Sequence, residues 1–132
     1  MRPGRAAARE RADDGSAVVE FVSVVALLTL LFLAVVQVAL VQHVRNTLVD
    51  CAGEGARFGG LVDRTPADAQ ARTASLIAMS LSPSYAEQVT ASQISRDGVD
   101  LIEVRVVAQV PAFGLIPTPA RLDVVGHGLV ER

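Results

Sequence analysis

Polar positions almost vanish from one long stretch of the chain. From Phe21 to Val41, FVSVVALLTLLFLAVVQVALV, the only polar residues are Ser23, Thr29 and Gln37. A helix that spans a bilayer needs about 20 mostly apolar residues. A helix in a soluble core rarely stays apolar all round for so long. A cleavable secretory signal has an apolar core of about 7–15 residues, then a small-residue site of the A-x-A kind. This run is longer and no such site follows it. It predicts a retained transmembrane helix over residues 16–42.

After the run the pattern becomes one-sided. Val41, Val44, Leu48, Cys51, Gly55 and Phe58 recur at steps of three and four, which predicts that the helix continues over 43–60 with an apolar stripe. Glu54 and Arg57 can pair on the opposite face, and Gly59-Gly60 is a stop signal. From Ser16 to Phe58 such a helix would measure about 65 Å at ~1.5 Å per residue, roughly twice a ~30 Å hydrocarbon core. Thr65 as N-cap and Pro66 at the first helical position open a second helix, which Ser82-Pro83-Ser84 ends. The period then changes to two. Gln88–Ser95 reads as a weak strand, Asp97-Gly98 as a hairpin turn, and VDLIEVRVVAQV as a strand with Ile102, Val104, Val106, Ala108 and Val110 on one face. Pro111 closes it, Pro117 and Pro119 bracket a loop, and ARLDVVGHGLV is a third strand. The predicted fold is α+β: a long N-terminal membrane-spanning helix continuing into a small head, 61–132, with one helix and a three-stranded antiparallel sheet.

Charge adds orientation. All 12 basic residues are Arg. Arg2, Arg5, Arg9 and Arg11 precede the span, whereas Arg45 alone closely follows it. The excess of positive charge predicts a cytoplasmic leader, residues 1–15, with the head outside the cytoplasmic membrane. The formal net charge of −2 shows no basic patch for nucleic acid. Cys51 is the only cysteine, which excludes an intramolecular disulfide and argues against a Cys-based metal site. Its place on the stripe suits a small buried hydrophobe. His43 and His127 fall in no catalytic motif, and no G-x-S-x-G is present. GEGARFGG has neither the Lys-Ser/Thr nor the preceding strand of a phosphate loop. No cofactor, metal or catalytic site is expected, so the chain reads as a non-enzyme.

The remaining chemistry lies at the threshold of the span, in DDGSAVVEF, Asp13 to Phe21. One reading is structural. Ser16 caps the helix, Asp13 and Asp14 favour its positive N-terminus, and Glu20 reaches back to the interface. The other is functional. If the chain is cut between Gly15 and Ser16, a new α-amino group lies one helical turn from Glu20. An ammonium and a carboxylate can then neutralise one another where water is scarce, within one chain or between neighbours. A carboxylate in a bilayer usually has a partner and a function.

The Arg-rich leader, GSAVVEF, the apolar run and QHVRNTLVDCAGEGARFGGL together resemble TadE-like proteins of tight-adherence (Flp) pilus systems, which are related to type IV prepilins. Arg45-Asn46 and Glu54-Gly55-Ala56-Arg57 match the motifs of that family, while Gly53 stands where an Arg is common and Gln37 near a frequent Glu. The resemblance covers residues 9–61; the head shares only the order of a helix followed by strands. It implies cleavage after Gly15 by a prepilin peptidase, and a role in pilus assembly as a minor pilin or pseudopilin. It also implies partners: the major pilin, another TadE/TadF-type subunit, membrane platform proteins and, through these, a secretion ATPase. The alternative is an uncleaved single-pass envelope protein whose outer domain binds a partner or ligand. An anchored enzyme has the least support.

Overall fold

The computed structural model describes residues 4–111 and 118–132. Arg2 of the leader, and Pro117 at one end of the expected loop, lie outside the described residues. The chain divides into two compact units, 1–37 and 38–132. Helix α1, Gly4–Gly60, contributes to both.

The first unit is helical wherever it is described. Its apolar side chains are open, with Phe21 70%, Leu27 67% and Phe32 66% exposed. The most apolar 18-residue window has a mean hydropathy of 2.9, and none of it is buried. A helix apolar all round and unburied by its own chain matches hydrocarbon as its solvent. The two hydroxyls in the run are satisfied inside the helix. Ser23 donates to the Val19 carbonyl at 2.7 Å and Thr29 to the Val25 carbonyl at 2.8 Å, so neither would bring an unpaired donor into hydrocarbon.

One expectation is corrected here. Ser16 does not cap α1, and Asp13 and Asp14 do not lie in its first turn, because the helix already begins at Gly4. The leader explains this. Ala6, Ala7, Ala8 and Ala12, interspersed with Arg and Glu, are strong helix formers, and no proline interrupts the chain between Gly4 and Ser16.

In the second unit, α1 runs from Val38 to Gly60 and is followed by α2, Pro66–Ser80, by a 3₁₀ turn at Pro83–Ala86, and by strands β1, Val89–Arg96, β2, Val99–Val110, and β3, Ala120–Leu129. The sheet is antiparallel in the order β1-β2-β3. The turn between β1 and β2 places Asp97 at φ 52° and Gly98 at φ 78°. Both values are positive, as a two-residue hairpin of this twist requires. Val104 pairs with Ala91 on one side and Gly126 on the other. Alternation along β2 sends Ile102, Val104, Val106, Ala108 and Val110 into the core, where Leu48, Cys51, Ala52, Ala56, Ala69, Ile77, Leu122 and Val124 join them. The 3₁₀ turn has no periodic signature in the sequence. Pro83 begins it, and Ser82 accepts the Ser84 N–H at 3.4 Å.

Helix α2 carries a capping box. The Thr65 hydroxyl accepts the Asp68 N–H at 3.3 Å, and the Asp68 carboxylate accepts the Thr65 N–H at 2.8 Å and its hydroxyl at 2.8 Å. The side-chain and backbone hydrogen bonds from Thr65 hold the Asp68 carboxyl below its ordinary value, while desolvation works weakly against them and Arg64 adds a small pull downward. A carboxyl with a lowered folded pKa stabilises the fold above its unfolded value and loses that contribution as pH falls through the folded one. The stability of the second unit is therefore expected to drop below about pH 4, and Asp68→Asn to flatten that part of the profile. Urea unfolding at stepped pH measures it. An unchanged acid limb in Asp68→Asn would rule the box out as its source.

Candidate functional site

Residues in and near the Arg-Asn and Glu-Gly-Ala-Arg motifs divide between two faces of α1. Arg45, Asn46, Glu54 and Arg57 are exposed, whereas Gly55 and Ala56 are buried. Arg57 donates to Glu54 at 3.4 Å, and both side chains are at least half exposed, so the pair contributes only tenths of a kcal/mol, about 0.3–0.5. The small residues do more. A methyl at Gly55 would run into the Thr73 side chain of α2 and stand 3.0 Å from the Ala69 carbonyl; one at Gly59 would overlap the Ala69 side chain. Glycine here lets α2 lie against the α1 backbone. On the other flank the glycines belong to the sheet. A Cβ at Gly126 would strike the backbone of Ala52 and Gly53, and one at Gly128 the backbone of Ala56 and Arg57. So α1 is gripped from two sides, by α2 against Gly55 and Gly59 and by β3 against Ala52 and Ala56.

The stripe expected from spacing is therefore wider than drawn. Val44, Leu48, Cys51 and Gly55 are buried as expected, and Ala52, Ala56, Gly59 and Gly60 join them. Phe58 is only partly covered. Its ring lies beneath two guanidinium groups, Arg64 at 4.5 Å and Arg72 at 5.7 Å from the ring centre, which suits an aromatic face at the edge of a core. Burial pushes the Cys51 thiol above its ordinary range, the Ser80 hydrogen bond opposes this, and Asp50 adds slightly to the rise. Less thiolate means a less reactive sulfur, as a packing residue would have.

His127 is exposed and lies opposite Glu103 in the sheet register, 3.1 Å apart on the solvent face. Arg105 and Asp123 form a second pair there at 3.0 Å. These contacts match cross-strand surface pairing. Among the described residues no three His, Cys, Asp or Glu side chains come together as a metal site would need.

Gly15, Ser16 and Glu20 lie in the first unit, all exposed and all helical. Ser16 and Glu20 are four residues apart on one helix and so share a face. Glu20 takes part in none of the ion pairs found among the described residues. The first turn of α1 holds no acidic residue.

These features define an α+β protein that has, among the described residues, one helix long and apolar enough to cross a membrane. Residues 15–57 match the model of a family described as TadE-like protein. The resemblance seen in the sequence is shown over those residues, which open at the Gly15–Ser16 bond and close on Arg57. No curated protein and no solved structure matches the chain.

Sequence spacing found the exposed charges but not the partners of the glycines. The detectable signal was Gly126 and Gly128 two apart in β3, since alternate glycines in a strand mark one face for close backbone approach.

Proposed function

We propose that the protein is a TadE-like subunit of tight-adherence pilus assembly, processed after Gly15 and acting as a minor pilin or pseudopilin. One observation carries this reading. At the edge of an unburied apolar span, within the TadE-like segment, Glu20 lies one turn beyond Ser16 with no partner among the described residues. Cutting the Gly15–Ser16 bond would make Ser16 the helix start. Its α-ammonium would then lie at the positive end of the helix dipole, which is unfavourable. Glu20, one turn on, supplies the compensating charge. The leader's arginines keep the cut on the cytoplasmic side, and the second unit lies outside the membrane. The partners are a prepilin peptidase, the major pilin, a second TadE/TadF-type subunit and the membrane platform proteins. In this reading the chain is a substrate and a subunit, not an enzyme.

N-terminal sequencing of the protein recovered from cells tests it. The expected mature chain begins at Ser16. A chain beginning at Met1 in cells that still make functional pili would overturn processing and favour an uncleaved anchored binding domain. Glu20→Ala is expected to leave most processing intact but to reduce pilus assembly and co-purification of other subunits at least tenfold. Wild-type assembly in Glu20→Ala would remove the charge-pairing role.

A further inference from the structure

The Gly15–Ser16 amide lies inside a regular helix that began at Gly4. In helical geometry the Gly15 carbonyl accepts the Val19 N–H, and the Ser16 N–H donates to the Ala12 carbonyl. A peptidase must approach the scissile carbonyl on an open backbone. Those hydrogen bonds therefore have to break before the amide can be attacked.

The residues at this place make opening easy. Asp13, Asp14, Gly15 and Ser16 are four consecutive weak helix formers, set between the alanines of the leader and the apolar span. Asp13 and Asp14 are exposed, and a Cβ at Gly15 would meet nothing within 4 Å. Packing within the chain therefore gives no reason for this composition. Aspartate also competes directly with the helix, because its carboxylate can take backbone N–H groups in turn conformations.

We propose that Asp13 and Asp14 are specificity determinants of processing: with Gly15 they fix where α1 opens and so select the bond that is cut. This rests on the reading that the bond is hydrolysed. In that step one water adds across the amide; Gly15 leaves with a carboxylate, and Ser16 keeps the nitrogen as an ammonium. The two aspartates act on the helix–coil balance and not as a charge recognised by the peptidase.

The test uses the full-length chain in membranes containing a prepilin peptidase. Asp13→Ala with Asp14→Ala raises helix propensity and is expected to slow cleavage about tenfold. Asp13→Asn with Asp14→Asn removes the charge but keeps the low propensity, and is expected to be cut at the wild-type rate. Adding Ala12→Gly to the double alanine chain is expected to restore most of the rate. Amide exchange of residues 15–20, read without peptidase, is expected to slow in the alanine chain only. If the asparagine chain is cut as slowly as the alanine chain, charge is recognised and the proposal fails. It also fails if the alanine chain is cut at the wild-type rate. A wild-type chain that stays uncut overturns the processing reading itself, which separates that failure from the other two.

Discussion

Gly128→Val is expected to abolish the ordered packing of β3 on α1. A Cβ at this position already overlaps the Ala56 carbonyl group and the Arg57 amide nitrogen, and valine adds two methyls beyond it. Overpacking costs about 1–3 kcal/mol when neighbouring side chains can move aside, and sometimes more. Here the obstruction is helix backbone, whose atoms are fixed by the α1 hydrogen-bond ladder. The strand cannot retreat either, because Ile102 pairs with Gly128 and Gln93 in turn pairs with Ile102. A loss of at least about 3 kcal/mol is a large share of the ~5–15 kcal/mol that holds a small domain together. Amide exchange protection in β2 and β3 of the full chain in micelles measures it. Gly128→Ala should lower protection less than valine does, and native protection in the valine chain would mean that α1 and β3 are not in backbone contact.

Leu48→Ala should be the next most damaging change. Leu48 is 0% exposed, while its neighbour Val49 is 39% exposed on the other face of the same helix. Removing a buried leucine side chain costs about 2–5 kcal/mol, part transfer and part cavity. With a mid-range urea slope of about 2 kcal/mol per molar, the unfolding midpoint should fall by roughly 1–2.5 M. Val49→Ala controls for helix propensity and local chain effects, and should shift stability by less than about 0.5 kcal/mol. Equal shifts in the two variants would show that the buried side of α1 had been misassigned.

Much of this architecture was legible because each element obeys a period. The apolar run, the alternation in VDLIEVRVVAQV, Asp97-Gly98 and Thr65-Pro66 each state a local rule, and local rules survive folding. What was not legible depends on partners distant in sequence. The spacing of Val44, Leu48 and Cys51 indicates a stripe, but nothing near Ala52 or Ala56 reveals that glycines in the last strand let the sheet reach them. Phe58 fits the stripe by number, yet Arg64 and Arg72 cover its ring outside the core. At the threshold of the span, Ser16 reads as a cap by local rules alone. The leader's alanines and arginines carry the helix through it. In the Glu-Gly-Ala-Arg segment, sequence singled out the motif without showing that its two halves do different work. Gly55 and Ala56 are packing surfaces, while Glu54 and Arg57 lie in solvent.

The contact between β3 and α1 joins the first helix of the second unit to its last strand, and this matters while the chain is being made. The apolar side of α1 is synthesised before α2 and the sheet, and its final cover arrives with the closing strand. Chains grow at about 5–20 residues per second, so Leu48, Ala52 and Ala56 wait seconds without that cover. Long-range closure of this kind is also slow to form. A nascent chain that has not yet emerged as far as Gly128 therefore presents a sticky helix face to whatever stands nearby. A shortened message ending before β3 would leave that face uncovered for good and open to proteolysis.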